Sequence, residues 1–189
     1  MVPLWTNPMN IFAVQPNPLD AAHDLCDKHV VKMIVESAQM LSTAHRVLDG
    51  NATIRISKSN RKLKHWVHPC TAKDAKLCLP AMVNHPCTKW VMQGSDNYLW
   101  LWQHTTGLLK EYTDRYSKKH SMCGLVHDYL STLPVNIRQG QLSPFAQAMP
   151  EHYKTDDAVT AYRNYYIGDK KRFAKWSRTS PPSWFVNTA

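Results

Sequence analysis

Five polar side chains recur on one narrow face of a predicted helix: His29, Lys32, Glu36, Gln39 and Thr43 follow one another at steps of three and four. Residues so spaced project in one direction from an α-helix, so an imidazole, an amine and a carboxylate can converge on one bound group. Glu36 or His29 can then act as general acid or base, and Lys32 as a phosphate contact or Schiff-base nucleophile. A solvated helix face explains the same spacing without any site. Lys32 precedes Glu36, the weaker order for an i,i+4 ion pair, so helix stabilisation is not an obvious reason for the stripe. His45 and Arg46, further along, extend it.

A helix-borne carboxylate beside basic residues is also what a DNA glycosylase needs, since an oxocarbenium-like sugar must be stabilised while the base departs. The target base must first leave the stack, which aromatic wedges and cations clamped on phosphates promote. Trp90, Tyr98, Trp100, Arg115, Arg163, Tyr166 and Lys170 are the candidates for those roles, and packing or a surface position accounts for each of them as well.

The charge distribution points the same way. Lys plus Arg number 23 against 14 acids, a net charge of +9. Much of the excess is clustered: Arg55, Lys58, Arg61, Lys62, Lys64, Lys73 and Lys76 face one acid, Asp74. Such a run attracts polyanions by releasing their condensed counterions, so the expected partner is nucleic acid, double-stranded DNA in particular. A solvated surface loop is the alternative reading. Seven Trp and eight Tyr supply faces on which bases can stack. His85, just before Pro86, would sit at the electropositive start of a helix, near a bound phosphate. The expected nucleic-acid contacts are therefore His45, Arg46, Arg61, Lys62, Lys64, His85, Arg115, Arg163 and Lys170.

The tetrapeptide His-Pro-Cys-Thr occurs twice, at residues 68–71 and 85–88. Zinc sites draw on C-x2-4-C or H-x3-5-H pairs that one turn can present to a tetrahedron. Each pair here is only two residues apart, and the proline between them favours extended backbone that splays them, so no metal or other cofactor is expected. Cys26, Cys70, Cys78, Cys87 and Cys123 are an odd number, and reduced thiols are expected in an intracellular compartment. No phosphate-cradling glycine loop, G-x-S-x-G elbow or H-E-x-x-H helix is present. The opening residues lack a signal-peptide pattern and no apolar run is long enough to span a bilayer. A soluble cytoplasmic protein is expected.

The elements that must position these residues are mostly helical. A strand is conceivable only at the apolar run 10–14. The clearest helix runs from Asp20 to just before Gly50, about 30 residues, with Cys26, Val30, Val31, Met33, Ile34, Ala38, Leu41 and Ala44 on its core side. Residues 51–86 are basic, broken by Pro69 and Pro80, and read as a long loop excursion. A second long helix begins near Thr88 or Ser95 and ends near Lys118, carrying Val91, Tyr98, Trp102, Thr105, Leu109, Tyr112 and Tyr116. A shorter one is expected over 122–132, a helix start at Ser143-Pro144-Phe145, and a last helix after Thr155-Asp156-Asp157. Residues 177–189 form an extended tail. The expectation is a mainly α fold, a single compact helical domain over 1–189 with a long basic loop excursion and few or no strands.

The order of motifs resembles a family of small proteins of tailed bacteriophages, cyanophages among them. The likeness is carried by Met9-Asn10-Ile11-Phe12, Cys26-Asp27-Lys28-His29-Val30-Val31-Lys32-Met33, Ser42-Thr43-Ala44-His45-Arg46, Asn84-His85-Pro86-Cys87, Asn97-Tyr98, Glu111-Tyr112-Thr113, Pro144 through Pro150 and Ala161 through Lys170. It implies a location in an infected bacterial host. The short apolar opening followed by a helix bearing His, Glu and basic residues is also similar to phage pyrimidine-dimer DNA glycosylases. That likeness implies a freed N-terminal amine as nucleophile. Eight residues precede Met9, so a chain translated from Met1 would need Lys32 as the replacement amine. The resulting expectation is base excision or base modification on DNA, with Glu36, His29 and Lys32 catalytic. The alternative is a non-catalytic binding module for nucleic acid or a host protein, conceivably stabilised by zinc.

Overall fold

The computed structural model describes residues 9–186 and is mainly helical. Asn17 starts the first helix, α1 (Pro18–Asp24), by accepting from Leu19 N and Asp20 N, with Pro18 inside the first turn. The chain then breaks at Leu25 and Cys26 before α2 (Asp27–Asp49) begins. The expected 30-residue helix is therefore two, for a tertiary reason. Tyr166 Oη accepts from Cys26 N, Arg115 Nη1 donates to Leu25 O, and Asp27 N donates to Lys175 O. These long-range partners take the backbone groups that a continuous helix would pair within itself.

The expected loop over 51–86 contains a β-hairpin and a short helix. Strands β1 (Asn51–Ile56) and β2 (Lys62–Val67) pair antiparallel, from Asn51 opposite Val67 to Ile56 opposite Lys62. Asn60 adopts φ 57 in the turn, and Ser57 Oγ accepts from Arg61 N. Helix α3 (Thr71–Lys76) follows, then α4 (Pro86–Met92), capped by His85 Nδ1 accepting from Cys87 N. The long α5 (Ser95–Tyr116) crosses both α1 and α2. Gly107 permits the close approach to α1, since a Cβ there would lie 2.9 Å from Ala22 Cβ.

The expected helix over 122–132 is a π-helical turn, Leu125–Tyr129. No helix starts at Ser143, because Asn97 pairs with it twice, accepting from Ser143 N and donating to Ser143 Oγ. Helix α6 (Ala158–Tyr165) is capped by Asp157 and runs into a π-helical turn, Tyr166–Lys170. The tail is not wholly extended: Ser183–Val186 form one turn, α7, and Trp184 and Phe185 pack edge-on against Tyr166. Residues 187–189 lie outside the described chain. The core lies between α1, α2, α4, α5 and α6 and takes in Ile11, Ile34, Leu41, Trp90, Tyr98, Leu101 and Tyr162. Of the core side expected for α2, only Val31 is exposed. Among the described residues, no helix is long and apolar enough to cross a membrane.

Candidate active site

The first turns of α2 open onto a cavity of about 550 Å³. Helix α2 lines it with Lys28, His29 and Lys32, and the segment before α1 lines it with Asn10 and Phe12. The far wall is Tyr165, Lys170, Arg172 and Phe173, at and beyond the end of α6. Three stretches remote in sequence therefore meet in one pocket of ordinary ligand-binding size. A more open depression continues past Lys28, Lys32 and Arg172 to Lys175. The cavity and its extension thus present five cationic side chains from two parts of the chain.

Residues 10–14 are buried but form no strand. Asn10 Oδ1 accepts from Ile11 N and Phe12 N, at 2.8 and 3.0 Å, and its Nδ2 donates to Ala148 O. This tight turn places Phe12 at φ 41, a left-handed conformation that a bulky residue rarely adopts and that tends to occur where function holds the backbone in place. The Phe12 ring stacks on His29 with centroids 4.4 Å apart and lies parallel to Tyr165.

His29 is buried, and its Nδ1 lies 2.8 Å from Tyr166 Oη. Because Tyr166 Oη accepts from Cys26 N, its own hydrogen is available to donate to that nitrogen. Burial, and after it the Lys32, Lys170 and Lys28 ammonium groups, pushes His29 down to about 3. It is a neutral ring at physiological pH, suited to shaping the pocket and giving or taking one hydrogen bond, not to delivering a proton from an imidazolium.

Glu36 lies one turn beyond Lys32, and its carboxylate joins two nitrogens. Oε1 is 2.9 Å from Lys32 Nζ, and Oε2 accepts from Asn10 N at 3.2 Å. The side chain is 12% exposed, whereas that of Lys32 is 42% exposed, so the carboxylate is nearly enclosed while the amine reaches the open pocket. A carboxylate fixed beside an amine can take that amine's proton and then stabilise positive charge developing in front of it.

The structure brings His29, Lys32, Glu36 and Lys170 together. Lys170 Nζ donates to Tyr165 Oη at 2.8 Å. Arg163 sits behind the wall, tying down residues 14 and 15 by donating to Val14 O and Gln15 Oε1. His85 caps α4 and does not line the cavity. Arg61, Lys62 and Lys64 are exposed on the hairpin. Its base follows the far end of α2, some twenty residues or roughly 30 Å of helix from the cavity.

Three expected nucleic-acid contacts belong to the interior instead. Arg46 is 2% exposed and donates to the carbonyls of Trp66, Asp74, Leu77 and Cys78 and to the Asp74 carboxylate. Arg115 is equally buried, holding Glu111, Asp27 and the carbonyls of His23 and Leu25. Neither guanidinium has donors left for a phosphate. His45 is fully buried against Tyr98. Trp90, Tyr98, Trp100 and Tyr166 are likewise core, not wedges.

Sequence reasoning passed over Asn10, Phe12, Lys28, Tyr165, Arg172 and Phe173. Lys28 was within reach, one turn before Lys32, and Arg172 ends a visible Lys170-Lys171-Arg172 run. Asn10, Phe12 and Tyr165 fall within motifs that carry the family likeness, without a local sign of a site role, and nothing local marks Phe173.

The family model described as pyrimidine dimer DNA glycosylase matches residues 9–123. The chain belongs to the pyrimidine dimer DNA glycosylase family. No curated protein and no solved structure gives a match. Membership brings a DNA glycosylase-like function and, with it, binding to DNA. The matched span begins at Met9 and takes in Asn10, Phe12, Lys28, His29, Lys32 and Glu36. The far wall of the cavity, Tyr165 to Phe173, lies outside it.

Proposed function

We propose that the protein excises damaged pyrimidine bases from DNA, with an amine beside Glu36 as nucleophile. The observation that carries this reading is the Glu36 carboxylate held between Lys32 Nζ at 2.9 Å and Asn10 N at 3.2 Å, on the edge of a cationic cavity. In a chain that begins at Met1, Asn10 N is an amide whose lone pair is delocalised, so Lys32 is the amine next to Glu36. In a chain beginning at Asn10, the same nitrogen becomes an α-amine, already within reach of the carboxylate. In either case the amine nitrogen bonds to C1′ as the glycosidic C–N bond breaks. The base leaves with the bonding pair and takes up a proton, and the sugar ring opens to an imine. Glu36 accepts the amine's proton and offsets the positive charge that develops at C1′. Lys28, Lys170 and Arg172 hold the flanking phosphates while the target base is extruded.

The test is reaction with ultraviolet-irradiated duplex DNA in the presence of borohydride, which reduces an imine to a stable cross-link. A chain beginning at Met1 is expected to cross-link through Lys32 and one beginning at Asn10 through its α-amine, each located by peptide mass. Alkali-labile abasic sites with no cross-link would make water the nucleophile and refute the amine. Salt-dependent binding with no alkali-labile sites would refute the enzyme and leave a non-catalytic nucleic-acid module.

A further inference from the structure

At the opposite end of α2 from the cavity, two buried imidazole nitrogens and a carboxylate converge. His45 and Asp49 lie one turn apart on α2, and His68 directly follows β2. Asp49 Oδ2 is 3.8 Å from His45 Nδ1 and 3.7 Å from His68 Nε2, and the three atoms all lie within 4.8 Å of one another. These separations are too long for hydrogen bonds. Both nitrogens are buried without any hydrogen-bond partner. Buried polar atoms in native folds ordinarily have a partner, and these two face one carboxylate.

The surroundings decide what belongs there. Tyr98 Oη donates to Leu130 O, so it accepts from His45 Nε2, which places the ring's proton on Nε2 and leaves a bare lone pair on Nδ1. A lone pair pointed at a carboxylate is repulsive unless a cation separates them. Asp49 is itself oriented from behind, accepting from Val135 N and Asn136 N at 2.9 Å each. A ligating imidazole whose other nitrogen donates to a fixed acceptor, and a carboxylate held by backbone amides, are the supports that metal sites characteristically have.

We propose that His45 Nδ1, Asp49 Oδ2 and His68 Nε2 bind a divalent cation of the zinc class. Two imidazoles and one carboxylate suit zinc, with solvent completing the tetrahedron, and they are poor donors for calcium or magnesium. A tetrahedral zinc site with bonds of about 2.0–2.1 Å has edges near 3.3 Å, so the cluster needs to contract by only a few tenths of an ångström along the edges to Asp49. Two features oppose binding. His68 Nδ1 accepts from Cys70 N at 3.1 Å, and ligation through Nε2 moves the ring's proton to Nδ1 and releases that amide to solvent on an exposed stretch. The Lys73 ammonium, kept near His45 by donating to Thr132 Oγ1, repels a second cation there. The cation would pin the end of α2, the base of the basic hairpin and the loop at 135–136 to one another. The first His-Pro-Cys-Thr thus contributes its histidine, while its cysteine and the whole second copy stand apart.

The full chain, stripped with a chelator, is titrated with zinc chloride by calorimetry and followed by thermal unfolding. One zinc per chain is expected, with the midpoint rising by roughly 5–10 °C at saturating metal. His68→Gln and Asp49→Asn, both at the edge of the core, should each weaken binding by about 100-fold, and Tyr98→Phe by about 10–100-fold. Cys70→Ser should leave binding unchanged. Cobalt in place of zinc should give visible d–d bands without thiolate charge-transfer absorption. Folding of each variant is checked by circular dichroism, and Asp49→Asn and His68→Gln give the result independently. Substoichiometric binding, full affinity in a folded His68→Gln chain, a thiolate signature, or equal stabilisation by calcium would each overturn the site.

Discussion

Replacing Glu36 by Gln separates catalysis from folding. The loss of stability should be small. The Glu36–Lys32 pair has one partner 42% exposed, which places it among solvent-screened ion pairs contributing about 0–1 kcal/mol. A glutamine oxygen can still accept from Asn10 N, so that bond survives in neutral form. A change of ~1 kcal/mol in a protein of this size shifts the thermal midpoint by roughly 2–4 °C. The loss of activity should be large, because an amide neither takes a proton nor offers charge to an oxocarbenium-like sugar. Loss of a general acid or base lowers the rate by about 10²–10⁴-fold, or roughly 3–5 kcal/mol of transition-state stabilisation. Single-turnover glycosidic cleavage of irradiated duplex, scored as alkali-labile sites and measured beside thermal unfolding and binding affinity, gives all three quantities. A rate within about threefold of the parent, or a rate loss matched by unfolding, would refute the role assigned to the carboxylate.

Three further outcomes follow from the geometry. Arg115→Met strands Glu111 and Asp27 beside an apolar group and should destabilise the fold by about 3–5 kcal/mol in urea titrations, with the salt dependence of DNA binding unchanged; a slope shallower by about 1 would put Arg115 back at the interface. Lys28→Ala or Arg172→Ala should each lower the slope of log affinity against log salt by about 1, whereas Arg46→Lys should leave it unaltered. His29 and His104, both buried, are pushed down to about 3, chiefly by burial, whereas the unfolded chain binds their protons near 6.5. The unfolded state therefore protonates first, so stability is full above about pH 6.5 and falls as the pH drops toward 3. The loss at pH 5 relative to pH 7 is at most about 2 kcal/mol per histidine, and His104→Leu should remove its share. Urea midpoints flat across that range would contradict the neutral rings.

The secondary structure was legible where burial is one-sided. Helices α2 and α5 each bury a stripe, so Ile34 and Leu41, and Tyr98, Thr105 and Leu109, recur at helical spacing, although Trp102 and Tyr112 are only partly buried and Tyr116 is exposed. Pro86 after His85 marks a helix start by local chemistry alone, whereas the first helix, expected from Asp20, starts at Pro18. The hairpin was missed because β1 is exposed along its whole length, and only a brief alternation of Ala52, Ile54 and Ile56 with Asn51, Thr53 and Arg55 betrays it. The break between α1 and α2 has no local breaker; it exists because Tyr166, Arg115 and Lys175 reach Cys26, Leu25 and Asp27 from far along the chain.

By itself the sequence determined that His29, Lys32 and Glu36 share a helix face, because 3.6 residues per turn requires it. The two His-Pro-Cys stretches, expected to splay, instead make the same small turn, His Nδ1 accepting from Cys N in both copies. Only the tertiary structure decided which cations face the cavity and which vanish into the core. Arg46, Arg115 and Lys170 are alike as residue types, but Arg46 and Arg115 meet carbonyls and carboxylates whose burial demands a partner, while Lys170 meets an open wall. It also decided that one repeated histidine caps a helix while the other faces Asp49 and His45, since that meeting depends on where the hairpin returns to α2 and not on any spacing in the chain.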